Sequence, residues 1–207
     1  YKGVFYDGCV YLIMDQCDME LPRYCETHFD GLQTDLDRIF HQIAVAMVEI
    51  HKFSIIHRDI KPQNIMMIRS SDDEKADWIP QVIDFGAATL TAEIASEQAR
   101  GALSCRNKRI SVGDQGFSYE MTAIGTFSFM APEIKLQKKI YCQKVDIYSL
   151  VITYIQCKTY SPSIGKNHWC RGINLPDKEK LCDELKFSTE KNYKAWRWLM
   201  IAGLDEK

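Results

Sequence analysis

The stretch IIHRDIKPQNIMMI, residues 55–68, limits most strongly what this chain can fold into. Between two apolar segments it places His57, Arg58, Asp59, Lys61 and Asn64. Burying charged and polar groups costs free energy unless each of them is paired or hydrogen-bonded. The fold must therefore bring partners to this stretch, which makes it a candidate functional site.

The composition provides enough apolar material for one core. The 207 residues are 46% hydrophobic and 26% charged, and their net charge is −2. This balance gives no reason to expect nucleic acid or a membrane as a partner. The eight cysteines contain no C-x-x-C pair, and no signal peptide or membrane span is evident. We therefore expect reduced thiols in a cytoplasmic protein, with the nucleus as an open alternative and the oligomeric state undetermined.

Apolar periodicity predicts the elements that precede this stretch. Residues 2–15 predict two strands joined by a turn at Asp7-Gly8. Residues 19–30 predict a short helix in polar surroundings. From Thr34 to His51-Lys52, apolar residues recur at steps of three and four, which predicts a long amphipathic helix.

The elements that follow are predicted in the same way. Residues 64–68 and 80–86 predict two strands. Residues 87–124 show no clear period, so we expect a long functional loop there. The nearly apolar run 147–157 predicts a buried helix, and further helices are expected around 177–185 and 193–204. Strands first and helices after them indicate a mainly helical α+β fold.

Three motifs occur in a fixed order along the chain. They are HRDIKPQN at 57–64, DFG at 84–86 and GTFSFMAPE at 125–133. An apolar helix is predicted before them and an aspartate-bearing buried helix after them. In this arrangement they resemble the signature motifs of eukaryotic-type protein kinases, and the resemblance covers nearly the whole chain. It implies an α+β, protein-kinase-like fold with a mainly helical C-terminal lobe and a short β hairpin and hinge from the N-terminal lobe.

The resemblance also divides the chain. Residues 1–207 would be a partial protein kinase domain. Within it, residues 1–15 would be the end strands of the N-terminal lobe, residues 16–20 the hinge and residues 21–207 the helical C-terminal lobe. The activation segment would be residues 84–133, and its length of 50 residues is greater than is usual for the family.

The resemblance implies roles for individual residues in phosphoryl transfer, which requires a positioned hydroxyl and neutralised phosphate charge. Asp59 matches the residue that accepts or orients the substrate hydroxyl proton, and Lys61 matches the one that reaches the transferred phosphoryl group. Asn64 and Asp84 match the oxygen ligands of Mg²⁺ on the ATP phosphates. Thr126, expected close to Asp59, follows the serine/threonine pattern together with Lys61. The implied substrates are therefore serine and threonine hydroxyls of proteins.

The resemblance further implies where adenine would bind. Met14 would be the gatekeeper residue beside the nucleotide. The backbone groups of Asp15 and Cys17 would hydrogen-bond adenine. Met66, apolar and adaptable in the strand after Asn64, would form the floor beneath it.

Other residues of the motifs are implied to be structural or regulatory. His57 would stack near Phe85 rather than act as a base. Arg58 would receive a phosphorylated residue of the activation segment, and Thr122 is the candidate for that phosphorylation. Asp146 would hydrogen-bond the backbone of the catalytic loop.

Two interpretations of different classes remain open. The sequence contains no G-x-G-x-x-G loop, no Val-Ala-Ile-Lys-like strand and no glutamate helix to pair with such a lysine. The chain is then either an N-terminally truncated part of an active serine/threonine kinase, inactive by itself, or a catalytically inactive, kinase-like scaffold. The matches at Asp59, Lys61, Asn64, Asp84 and Thr126 favour the kinase, because a binding module has no physical need for them.

Overall fold

The computed structural model describes residues 2–29, 32–71, 76–90, 109–111, 117–120, 125–135, 140–164 and 169. Within these ranges the strands are β1 Lys2–Tyr6, β2 Cys9–Ile13, β3 Met19–Glu20, β4 Ile55–Ile56, β5 Ile65–Arg69, β6 Trp78–Val82, β7 Thr89–Leu90, β8 Arg109–Ser111, β9 Phe117–Glu120 and β10 Ile140–Tyr141. The α-helices are α1 Leu21–Thr27, α2 Leu32–Lys52, α3 Pro132–Lys135 and α4 Lys144–Lys158.

Two helices, α2 and α4, hold the core together. The stripe of α2 that faces the core includes Leu36, Ile39, Phe40, Ile43 and Met47, all buried. In contrast, α4 is buried on nearly every side. The rings of Phe40 and Tyr154 meet edge to face, with centroids 5.0 Å apart. Both helices confirm the sequence predictions, although α2 begins two residues earlier and α4 extends beyond the predicted run at each end.

The short helix α1 lies against this core, so the prediction of polar surroundings is wrong. Its buried residues are Leu21, Pro22, Tyr24 and Cys25, which recur on one face of the helix. Pro22 suits the first turn because that turn has amide groups without helical acceptors. Met19 and Glu20 form β3 instead of belonging to this helix.

A three-stranded antiparallel sheet carries β5 between β3 and β6. Buried Ile65 and Met67 alternate on β5 with partly exposed Met66. The second predicted strand is displaced, because β6 begins at Trp78 and ends at Val82. The DFG residues therefore follow the strand, and they form a 3₁₀ turn over Phe85–Ala87.

Two further pairings organise the segments around the motifs. Ile55 and Ile56 of β4 lie opposite Leu90 and Thr89 of β7, so the strands that flank the first two motifs are joined. In addition, β9 lies between β8 and β10 in an antiparallel sheet. The expectation of a loop without regular structure over 87–124 is thus wrong for β7, β8 and β9.

Some predictions fall outside the described residues, namely Thr122 and the helices around 177–185 and 193–204. In the part of the chain that is described, no helix combines the length and apolar character needed to cross a membrane. The described cysteines are Cys9, Cys17, Cys25, Cys142 and Cys157, and each of them is a free thiol in this structure.

Candidate active site

A buried carboxylate on α4 fixes the loop between β4 and β5. Asp146 is completely buried, and its Oδ1 accepts a hydrogen bond from the amide of Arg58 at 2.8 Å. Its Oδ2 accepts from the amide of His57 at 2.9 Å. The predicted contact between Asp146 and the loop backbone is therefore confirmed.

His51 is a third partner of this carboxylate, and no motif in the sequence indicates it. His51 Nε2 lies 2.9 Å from Asp146 Oδ2, although the two residues are 95 positions apart in sequence. The carbonyl of His51 accepts a hydrogen bond from Gln143 Nε2 at 2.8 Å, which ties the end of α2 to the start of α4. The only signal in the sequence is that His51 ends the apolar period of α2.

Arg58, the second residue of the HRDIKPQN motif, has a strained backbone conformation. Its φ of +68° is in the left-handed region, which costs on the order of 1–3 kcal/mol for a residue other than glycine. The Arg58 guanidinium donates from Nε to the carbonyl of Ala87 at 2.5 Å and from Nη2 to that of Ala88 at 3.5 Å. Because Asp146 holds the amide of Arg58, both ends of this residue are anchored.

Asp59 lies at the centre of the candidate site. Its Oδ1 accepts from the amide and the hydroxyl of Thr126, at 2.8 and 2.7 Å. Its Oδ2 accepts from Lys61 Nζ at 2.7 Å and from Asn64 Nδ2 at 3.0 Å. Lys61 Nζ also donates to Thr126 Oγ1 at 2.8 Å. The structure thus brings together all three residues predicted to be catalytic, along with Asn64.

These contacts set the ionisation of Asp59. Partial burial alone would raise the pKa of its carboxyl group. The hydrogen bonds from Lys61 and Thr126, together with the positive charge of Lys61, outweigh burial and hold the pKa below the usual value of 3.8. Asp59 is therefore a carboxylate at neutral pH, already surrounded by donors that fix its orientation.

The two predicted metal ligands lie at the ends of neighbouring strands. The amide of Ile83 donates to the carbonyl of Asn64 at 2.9 Å, which joins the start of β5 to the residue before Asp84. Asp84 is exposed and left-handed, with a φ of +62°, and its Oδ1 accepts from the amide of Gly86 at 3.1 Å. A β-carbon at Gly86 would lie 3.0 Å from Asp84 Oδ1, so a larger residue there would need the Asp84 side chain to shift by a few tenths of an ångström.

The oxygen atoms at this point fit a magnesium ion that is shared with a ligand. Asn64 uses its amide nitrogen for its hydrogen bonds to Asp59, which leaves its Oδ1 for a cation. Magnesium is commonly bound through one or two carboxylates plus substrate phosphates. In the described part of the chain, no group of three or more His, Cys, Asp or Glu residues forms a metal site. The amide oxygen of Asn64 and the carboxylate of Asp84 are hard oxygen donors of the kind that Mg²⁺ binds.

His57 has a structural position. Its ring lies 4.8 Å from that of Phe85 between centroids, so the predicted contact is present, but the ring planes are tilted by 59° rather than stacked. His57 Nε2 lies 3.0 Å from the carbonyl of Ile83, and its Nδ1 accepts from the amide of Asp59 at 3.3 Å. Since a carbonyl only accepts, Nε2 carries the proton, and both ring nitrogens are occupied.

The residues predicted to contact adenine lie on and beside the β3–β5–β6 sheet. Met66 lies opposite Gln81 in the sheet, and Cys17 Sγ approaches Gln81 Oε1 at 3.7 Å. Cys17 and Met66 are therefore brought to the same part of the sheet. Asp15 and Met14 are exposed on the segment between β2 and β3. Partial burial and the nearby charges of Asp18 and Asp15 raise the pKa of the Cys17 thiol.

Comparison with known proteins agrees with this geometry. The family model described as protein kinase domain matches residues 1–197. This chain belongs to the protein kinase family. Calcium-dependent protein kinase 5 of Plasmodium berghei is 30% identical over 205 residues, which covers 89% of this chain and 30% of that protein. The human eIF-2-alpha kinase GCN2 is 31% identical over 163 residues, covering 75% of this chain and 9% of that protein.

The kinase chain spans less than a third of the length of these relatives. A third relative, the protein kinase and PP2C-like domain-containing protein of Arabidopsis thaliana, is 34% identical over 110 residues, or 53% of this chain and 15% of that protein. The crystal structure of the yeast RNA Pol II CTD kinase CTDK-1 complex contains a similar chain. It has a TM-score of 0.54 and 18% identity over 76% of this chain and 43% of that one, which supports a shared kinase-like fold.

Proposed function

We propose that this chain is the substrate-binding and catalytic part of a serine/threonine protein kinase that transfers the γ-phosphate of ATP to protein hydroxyls. The observation that carries the proposal is the set of hydrogen bonds joining Asp59, Lys61, Asn64 and Thr126. Their arrangement provides a carboxylate, an ammonium group and an amide at one point, as phosphoryl transfer requires. Residues 1–15 and 16–20 are proposed to be end strands and hinge of the N-terminal lobe, and residues 21–207 the C-terminal lobe.

Asp59 is proposed to orient the acceptor hydroxyl. Its low pKa makes it a weak base, so its main contribution is to align the hydroxyl and to receive the proton late in the transfer. The amide of Thr126 and the side chain of Asn64 hold both carboxylate oxygens in place. Preorganisation of this kind lowers the barrier because no reorientation is needed during the reaction.

Lys61 and Thr126 are proposed to favour serine and threonine hydroxyls through the place they leave for an acceptor beside Asp59. Lys61 Nζ bridges Asp59 and Thr126 Oγ1, so its charge lies beside the point where an acceptor hydroxyl would meet Asp59. There it would neutralise charge on the transferred group. The bridge also fixes the activation segment at Thr126, which supports a serine or threonine acceptor as the resemblance implies.

Asn64 and Asp84 are proposed to hold Mg²⁺ on the phosphates of ATP. When bound, the metal and the nucleotide supply the phosphoryl group and screen its negative charge. The backbone bond between Ile83 and Asn64 keeps the two ligands on adjoining strand ends. Met66, Asp15 and Cys17 are proposed to contact adenine, since Cys17 and Met66 lie at the same part of the sheet. Phosphorylation of Thr122, paired with Arg58, is proposed to regulate the segment.

The test is phosphate transfer from labelled ATP by the natural full-length protein to matched serine, threonine and tyrosine peptides. Asp59→Asn is expected to lower kcat by roughly 100-fold or more, since it removes the group that orients the hydroxyl. Asp84→Asn is expected to raise the Mg²⁺ concentration needed for half-maximal rate. Asp77→Asn is the matched control, because its carboxylate is 82% exposed and 3.9 Å from Arg38.

Three results would contradict the proposal. Equal rates for the natural protein and Asp59→Asn would exclude Asp59 from the chemistry. Preference for the tyrosine peptide would exclude the serine/threonine assignment. No transfer by a folded, ATP-supplied natural protein would favour the inactive scaffold instead.

A further inference from the structure

Gly125 leads into the GTFSFMAPE segment in a conformation that excludes a side chain. Its φ of +125° lies in the region where non-glycine residues are strained. A β-carbon at this position would lie 2.3 Å from the carbonyl oxygen of Arg58, whereas ordinary contacts begin at 3.4 Å. An alanine would thus force the two backbone segments apart by about 1 Å.

The backbone of Arg58 is held in place on its side of this contact. Its amide is held by the buried carboxylate of Asp146 at 2.8 Å, and its guanidinium binds the carbonyl of Ala87. The carbonyl oxygen of Arg58 faces Gly125 between these two anchors. A β-carbon at residue 125 would therefore displace its own segment.

The residue next to Gly125 is the one bound to Asp59. Thr126 donates its amide to Asp59 Oδ1 at 2.8 Å and its hydroxyl to the same oxygen at 2.7 Å. A displacement of about 1 Å would lengthen both contacts past the distance at which a hydrogen bond exists. The hydrogen bonds of Thr126 to Asp59 consequently depend on the close approach of Gly125 to Arg58.

We propose that Gly125 is a positioning residue that sets Thr126 on Asp59, because its missing β-carbon lets the activation segment rest against the carbonyl of Arg58. The inference rests on the proposed function, since it assigns Gly125 an effect on phosphoryl transfer. Gly125 acts through Thr126, whose contacts orient the Asp59 carboxylate and the Lys61 ammonium group.

The first measurement is amide hydrogen exchange at Thr126 in the natural full-length protein labelled with ¹⁵N-threonine. Gly125→Ala is expected to accelerate exchange of the Thr126 amide by about tenfold or more, and to leave the buried α4 amide of Thr153 unchanged. Gly8→Ala is the matched control. Gly8 also has a positive φ, +76°, but a β-carbon there meets nothing within 4 Å.

The second measurement is kinetic. Gly125→Ala is expected to lower kcat between about tenfold and 100-fold, the loss associated with misplacement by about 1 Å. The KM for ATP is expected to stay within about twofold, because the nucleotide ligands are untouched. Thr126→Ala removes the hydroxyl contact with Asp59 and keeps the amide contact. In that background Gly125→Ala is therefore expected to lower kcat by a smaller factor than in the natural protein.

Each outcome decides between the alternatives. Unchanged protection of Thr126 in Gly125→Ala would overturn the positioning role, and so would full additivity with Thr126→Ala. A variant that no longer unfolds cooperatively, beside a folded Gly8→Ala, would also overturn it, because the glycine would then serve the fold and not the site. The exchange measurement does not require catalysis. If the natural protein transfers no phosphate but Thr126 loses protection, the proposed function fails while the placement of Thr126 by Gly125 stands.

Discussion

The replacement Lys158→Met tests the physics of the core most directly. Lys158 ends α4, and its Nζ lies 2.7 Å from Asp37 Oδ1, with side-chain exposures of 0% and 1%. The hydroxyl of Tyr154 donates to the same oxygen at 2.7 Å. Burial lowers the pKa of Lys158, although its hydrogen bond and charge interaction with Asp37 oppose that effect. This pair joins α2 and α4 where no water reaches it.

The magnitude follows from what remains after the lysine is removed. Methionine nearly conserves the volume, so the packing term is less than about 1.5 kcal/mol. The carboxylate of Asp37 stays buried and loses the ammonium group that lay 2.7 Å away, and loss of one partner of a buried pair costs about 3–5 kcal/mol. A whole domain is stable by only about 5–15 kcal/mol. Lys158→Met is therefore expected to remove a large fraction of the stability.

The measurement is urea unfolding, in which a lower midpoint at constant slope reports lost stability. Lys52→Met is the matched control, because Lys52 Nζ lies 2.7 Å from Glu49 Oε1 but the side chains are 64% and 56% exposed. The control is expected to cost less than about 1 kcal/mol. Adding Asp37→Asn to Lys158→Met is expected to recover at least half of the loss, since both charges of the buried pair are then removed. Equal costs for the two lysine variants would refute the reasoning.

Three further predictions concern the site and its support. The pKa of Asp59 is expected below 3.8 in a ¹³C carboxyl titration, and Lys61→Met is expected to raise it. Because the folded-state pKa is depressed, the stabilisation from Asp59 is complete above the unfolded value and is lost as pH falls through the folded value. Asp146→Asn exchanges one acceptor oxygen for an amide group, so a buried N–H of His57 or Arg58 loses its partner, at about 1–3 kcal/mol by urea unfolding. Trp78→Ala removes an indole whose ring centroid lies 5.5 Å from that of Tyr24, and is expected to lower stability by about 2–4 kcal/mol in the same assay.

The sequence pattern was sufficient to predict a feature where all of its residues lie in one short segment. The apolar steps of α2 and the apolar run of α4 predicted both helices, because a buried face has a fixed period. Asp59, Lys61 and Asn64 lie within six consecutive residues, and a short loop with a 3₁₀ turn at Pro62–Asn64 brings them together. Their proximity was foreseeable for that reason, while their catalytic roles remain predictions.

Contacts between distant segments were not available from local pattern. His51 and Asp146 meet because α2 and α4 pack together, and the sequence of one helix does not predict that it packs against the other. Strand β9 pairs with β10, which lies beyond the end of the loop region, so no local period could indicate it. The environment of α1 was misjudged because a seven-residue helix offers too few turns to establish its buried face.

The pairing of β9 with β10 limits how far the segment that carries Thr126 can move. Only residues 121–124 separate Glu120 from Gly125, so a fully extended chain could carry Gly125 no farther than about 18 Å from the sheet. On the other side of the same sheet, Tyr141 is followed after two residues by α4, whose Asp146 holds Arg58. The loop that carries Asp59 and the segment that carries Thr126 are thus each connected to this one sheet through a short segment. Separation of β9 from β10 would therefore release the connection on the Thr126 side and leave the connection from α4 to Arg58 in place.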